Sequence, residues 1–209
     1  MSSVVRYLAA TAAALIVLLP HAAAAQGADQ LGQWTLLPYT TPINPIHAAL
    51  TRTGKILLAS GSENDPTHTT FRAAVYDRGT GAFTLQTVPW DLFCNAMSQL
   101  PDGRLLITGG TLQYNPFRGI KTTTIFDPSV ETFLQVQDMA RGRWYPSTAS
   151  LADGRTMVFG GTLDTGGINQ AVELYSLGSG WSPESLAPFA PPLYPWLHLL
   201  PNGRVFLAG

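Results

Sequence analysis

Cys94-Asn-Ala-Met-Ser-Gln-Leu-Pro-Asp-Gly-Arg-Leu-Leu-Ile-Thr-Gly-Gly110 decides the fold, because it recurs along the chain. Tyr145-Pro-Ser-Thr-Ala-Ser-Leu-Ala-Asp-Gly-Arg-Thr-Met-Val-Phe-Gly-Gly161 aligns with it without gaps. So do the segments Pro45–Gly61 and Tyr194–Gly209. The turn glycines of the four copies are Gly54, Gly103, Gly154 and Gly203, at spacings of 49, 51 and 49 residues.

A repeat near 50 residues is the kelch length. Within each unit, Asp-Gly or Asn-Gly between two apolar runs marks a tight hairpin, with both turn positions expected at positive φ. The runs after the turn, Arg104–Thr108 and Arg155–Phe159, are apolar enough to be buried on both faces. A third strand is expected at Ala73–Asp77, Thr123–Asp127 and Ala171–Ser176, and a fourth starting at Phe83, Phe133 and Trp181. Four strands per repeat make a β-propeller blade. The expected fold is therefore an all-β, kelch-type propeller. Its blades run over about 45–90, 91–140 and 141–190, and the start of a further blade over 191–209. Gln33–Leu37 reads as an orphan fourth strand that would close the ring. About three and a half blades plus that strand imply the N-terminal part of a longer propeller, since known propellers hold about four to eight blades.

Residues 1–25 differ in texture. Arg6 is their only charge, followed by an apolar run from Tyr7 to Leu19, Pro20 and an alanine tract. This is the pattern of a secretory signal peptide, with cleavage expected before Gln26. The run is short for a membrane span, which needs about 20 residues. The remainder, 26–209, is expected to be exported, to the extracellular space or a periplasm, with no membrane association after cleavage.

Of 209 residues, 45% are apolar and 12% charged, with formal net charge −1. That balance excludes a disordered chain and an electrostatic nucleic-acid binder. Cys94 is the one cysteine, so no internal disulfide can form, and a lone thiol outside the cell needs a reason.

The innermost strand of each blade starts near the propeller axis, so one repeat position forms a ring there. Nine residues before each turn glycine, that ring reads Pro45, Cys94, Tyr145 and Tyr194. A thiol and a phenol on neighbouring blades can bind copper or be joined oxidatively, sulfur to ring carbon. The plain alternative is a buried Cys packing as a small hydrophobe beside a channel tyrosine. His47 lies two positions past the ring, on the same strand face, and is a weaker metal-ligand candidate. His198 reads as a core residue of an apolar strand, and Asp65-Pro66-Thr67-His68 as a polar loop. Phe93 and Trp144 flank the two key residues and either shield them or pack between blades.

Asp91-Leu92-Phe93-Cys94 with its Pro-Asp-Gly hairpin and Thr-Gly-Gly resembles the cysteine strand of the copper radical oxidases, galactose oxidase and glyoxal oxidase. Ala140-Arg141-Gly142-Arg143-Trp144-Tyr145-Pro146-Ser147 resembles their radical-tyrosine strand, and the Arg-Trp-Tyr-Pro-Ser form and Leu193-Tyr194-Pro195-Trp196 are closer to the glyoxal oxidase branch. The resemblance implies a seven-bladed propeller and two cofactors: copper, and a protein-derived Cys–Tyr thioether that carries a radical. It makes Cys94 the cross-linking partner, and Tyr145 the copper ligand and radical. The implied substrates are O2 and a small aldehyde, primary alcohol or carbohydrate, with H2O2 as product and a monomer as the full-length form. The remaining copper ligands of the family fall beyond residue 209, so the 209 residues alone are expected to be inactive. Where galactose oxidase places a tryptophan over its thioether, this sequence has Leu163. The alternative reading is a non-catalytic kelch module, for instance one that binds carbohydrate.

Overall fold

The computed structural model describes residues 32–209, and the chain divides after Thr40 into two units. The expected signal segment lies outside the described residues. In the first unit, the expected strand at Gln33–Leu37 is not formed: these residues make no ladder, and Trp34 and Leu36 are fully exposed. A strand exists only by pairing, and these residues pair with no described strand.

The second unit is built of antiparallel sheets. The first is β1 (His47–Leu50), β2 (Ile56–Gly61), β3 (Phe71–Asp77) and β4 (Ala82–Val88), hydrogen-bonded in chain order. The second is β5 (Ala96–Gln99), β6 (Leu105–Thr108), β9 (Thr123–Asp127) and β10 (Thr132–Gln135). Between β6 and β9 the chain makes a separate hairpin, β7 (Thr111–Tyr114) and β8 (Phe117–Gly119), which the repeat did not foretell. The third sheet is β11 (Trp144–Ser150), β12 (Thr156–Thr162), β13 (Ala171–Ser176) and β14 (Gly180–Trp181). Its outer strand is interrupted, with β15 (Ser185–Leu186) resuming the pairing with β13 after Pro183, which has no N–H to donate. A final hairpin joins β16 (Leu197–Leu199) and β17 (Val205–Leu207). The described residues thus form three propeller blades and the inner hairpin of a fourth.

The hairpin turns differ from the expected two-residue type. At Asp102-Gly103, Asp153-Gly154 and Asn202-Gly203 only the glycine has positive φ, near +80°. The side chain before it instead accepts the backbone N–H two residues on, as Asp102 Oδ1 does from Arg104 at 3.1 Å and Asn202 Oδ1 does from Arg204 at 3.0 Å. Leu100 N–H bonds Arg104 C=O across the turn, so three residues bridge the strands, ending in a left-handed glycine.

Apolar side chains fill the spaces between blades. Leu57, Ala73 and Val75 of the first blade meet Leu105, Ile107 and Phe126 of the second. Leu106 and Ile125 meet Val158, Tyr175 and Trp181 of the third. All four residues of β6 are buried, as a strand with a blade on each side must be. His198 is exposed, against the expectation of a core position: it stands on the wall of an open cavity beside β11.

Candidate functional site

The first strands of successive blades run side by side, and a ring position lies within three residues of the start of each. Cys94, Tyr145 and Tyr194 all have left-handed backbones, at φ of 62°, 62° and 50°. Such a conformation costs a non-glycine residue about 1–3 kcal/mol and gathers at functional sites. Here its local effect is visible. Tyr145 N–H reaches Cys94 C=O at 3.0 Å, and Tyr194 N–H reaches Tyr145 C=O at 2.9 Å. The turn aims each main chain at the next blade and brings the three side chains together.

Cys94 is a buried free cysteine. Its thiol packs with Trp144 and Tyr145, and burial pushes its pKa up to about 12 against the opposing pull of the Tyr145 and Tyr194 hydroxyls. The Tyr145 phenol is likewise raised to about 12, first by the Cys94 hydrogen bond and then by burial. Burial also raises Tyr194. Near neutral pH the cluster keeps its protons.

Aromatic rings enclose Tyr145. Trp144 lies 3.8 Å away at 9°, and Tyr194 lies 4.3 Å away at 20°. Two nearly parallel rings at that distance cannot share one face, so the phenol is sandwiched. Phe117 of β8 stacks on Trp144 at 4.0 Å and 12°. A cover over Tyr145 therefore comes from Trp144, the preceding residue. Phe93 stacks on Tyr114 at 6.1 Å.

Sequence reasoning missed two partnerships. His47 Nε2 lies 3.0 Å from the Tyr194 hydroxyl, and burial lowers the imidazole pKa against the opposing pull of the Asn95 backbone. The weaker candidate for metal binding is thus engaged with a tyrosine of the ring. Asp91 holds the cysteine segment from behind through its buried carboxylate. The alignment could have shown the first partnership, since His47 stands two positions past the ring. Asp65 accepts from Thr67, and His68 Nδ1 meets Ser62 C=O at 2.8 Å, as a polar loop requires.

A cavity of about 340 Å³ opens along the first strands, with His47, Ser147, Thr148, Tyr194, Trp196 and His198 on its walls. Among the described residues no three His, Cys, Asp or Glu side chains gather as a metal cage. What converges is a soft sulfur and two phenols, a partial donor set suited to copper. The buried Trp144 Nε1 and Asn95 Oδ1, on the residues next to the pair, are without hydrogen-bond partners among the described residues.

Comparison with known proteins gives this geometry its context. The family model described as glyoxal oxidase N-terminus matches residues 58–209. The chain belongs to the glyoxal oxidase N-terminus family. Galactose oxidase of Gibberella zeae is 30% identical over 86% of the chain and 28% of its own length. Aldehyde oxidase GLOX of Vitis pseudoreticulata is 28% identical over 86% of the chain and 39% of its own length. A solved structure titled as a novel fungal alcohol oxidase of the AA5 family, in complex with copper, superposes with TM-score 0.54. It shares 24% identity over 68% of the chain and 30% of that structure, and shows the propeller fold. The chain spans less than two fifths of the length of these relatives. The resemblance carried by the Cys94 and Tyr145 motifs holds, and membership of the glyoxal oxidase N-terminus family covers both residues.

Proposed function

We propose that the full-length protein is an exported copper radical oxidase that uses a Cys94–Tyr145 thioether. The observation that carries the reading is the buried Cys94 thiol packed against Tyr145, whose ring is sandwiched between two others. Tyr145 would hold copper through its phenolate oxygen, with the remaining ligands supplied outside these residues. Copper, when bound there, supplies a one-electron redox centre beside the tyrosine.

The protein's own residues have three tasks. Cys94 and Tyr145 form the cross-link: S–H and an ortho C–H are lost and a C–S bond forms, with two electrons and two protons passing to O2 to give H2O2. Trp144 and Tyr194 exclude water from both faces of the Tyr145 ring, and an oxidised tyrosine survives only where such quenchers are kept out. The cleft beside Tyr194 and His47 offers hydroxyl and imidazole groups to a small polar substrate. The overall reaction would be RCH2OH + O2 → RCHO + H2O2, or the corresponding oxidation of a hydrated aldehyde.

The deciding experiment is the intact mass of the full-length protein, purified without copper and then exposed to copper and air. Loss of two hydrogens, mapped to one peptide containing Cys94 and Tyr145, is expected, together with peroxide release on adding aldehydes or primary alcohols. A free Cys94 thiol after that treatment overturns the reading and leaves a binding propeller.

A further inference from the structure

One buried ionisable group is left unused by this chemistry. Asp91 is 6% exposed, and none of the ion pairs among the described residues includes it. Burying a carboxylate is costly unless hydrogen bonds replace its water. Here four donors do so. Oδ1 accepts the backbone N–H of Ser62 at 2.8 Å and of Phe93 at 2.9 Å. Oδ2 accepts the Ser62 hydroxyl at 2.7 Å and the Tyr114 hydroxyl at 3.4 Å. An ionised carboxylate is the side chain that accepts four such bonds and donates none.

Those donors belong to three different segments. Ser62 follows the end of β2 on the neighbouring blade, Phe93 precedes Cys94, and Tyr114 ends β7 on the inserted hairpin. The fit is close on every side. A Cβ on Gly61 would stand 2.3 Å from Asp91 Oδ1 and 2.2 Å from Phe93 N, and one on Gly110 would stand 2.1 Å from Asp91 O. Asp91 C=O also accepts Thr111 N–H at 3.0 Å, while the Thr111 hydroxyl donates to Phe93 C=O at 3.0 Å. The backbone entering the left-handed turn at Cys94 is therefore pinned on both sides. A second line of contact runs through rings: Tyr114 meets Phe117 at 5.4 Å, Phe117 stacks on Trp144, and Trp144 stacks on Tyr145.

We infer that Asp91 is a positioning residue for the Cys94–Tyr145 pair. It fixes Cys94 through the main chain and braces the cover of Tyr145 through the β7–β8 hairpin. Its bearing on catalysis rests on the proposed thioether, but its hold on Cys94 does not. The test therefore has two arms, both on the full-length protein.

In the first arm, copper-free protein is treated with iodoacetamide and alkylation of Cys94 is timed by mass spectrometry. In the second, thioether formation is timed after adding copper and air. Asp91→Ala is expected to speed alkylation and to slow cross-linking, each by about tenfold or more, with the circular dichroism of the folded protein retained. Asp91→Asn should stay close to wild type in both, because its amide oxygen still accepts the two backbone N–H groups and its NH2 can donate to the two hydroxyls. Wild-type alkylation in folded Asp91→Ala overturns the inference. Should that variant not fold, Ser62→Ala and Tyr114→Phe each remove one donor, and each is expected to speed alkylation about two- to fivefold. Wild-type rates in both would equally overturn it. A wild-type protein that forms no thioether defeats the copper reading, while the alkylation arm still decides the role of Asp91.

Discussion

At Cys94 the decisive quantity is a proton. A thiol held at about 12 and buried against two phenols is protonated wherever the protein works, so it is a poor nucleophile and metal ligand until something oxidises its partner. The raised value has a thermodynamic consequence. The folded state keeps the Cys94 and Tyr145 protons to higher pH than the unfolded chain, whose thiol and phenol ionise near 9 and 10. Stability from these groups is therefore intact below about pH 9 and declines as pH rises toward 12. Urea midpoints across that range should fall in the copper-free protein and fall less in Cys94→Ser, which lacks one of the two groups. Cys94→Ser and Tyr145→Phe should each abolish the loss of two hydrogens in the full-length protein and reduce peroxide production to background. Trp144→Ala, which empties a buried indole from the stack, should cost about 3–5 kcal/mol in urea denaturation, and Trp144→Phe much less.

Among the elements, the blades were legible because their signals repeat. Turn glycines at near-equal spacing and apolar runs between them announce β1–β2, β5–β6, β11–β12 and β16–β17 four times over. The β7–β8 hairpin occurs once, in strands too short for periodicity to register, and its one local cue was the turn-forming Asn115-Pro116 between two aromatic residues. The ring of Cys94, Tyr145 and Tyr194 followed from alignment alone, whereas the Asp91 network needed the fold to bring Ser62 and Tyr114 beside it. The same limit hid Arg143, fully buried and paired with Glu173 at 2.9 Å, one residue from the Trp144–Tyr145 stack. Removing the cation alone leaves an unpaired buried charge. Arg143→Ala should therefore cost about 3–5 kcal/mol, while Arg143→Met with Glu173→Leu should recover much of it, as a urea-denaturation cycle would measure. At Gly109, φ is +73° and a Cβ would stand 2.2 Å from Arg143 O. Gly109→Ala should thus destabilise by more than about 1 kcal/mol and disturb the approach of the tyrosine strand.

Across the whole second unit, cohesion lies in the layers between blades. Phe126 spans the first layer with no exposed surface, and Phe126→Ala should cost about 3–5 kcal/mol. Protection should be uneven. Amides of β6, flanked on both faces, should exchange with solvent only on global opening, while those of β10, at the edge of the same sheet with Leu134 exposed, should exchange far sooner. Equal exchange rates in the two strands would contradict the layered account. The left-handed residue at the head of β5, β11 and β16 has a wider meaning for how such a molecule changes over generations. Its backbone cost is borne alike here by a cysteine and by two tyrosines, so the scaffold admits side chains of quite different chemistry there. Each of these three strands thus carries a socket whose occupant can be exchanged, thiol for phenol, without redrawing the chain around it. New reactivity can then be written into an old ring one blade at a time.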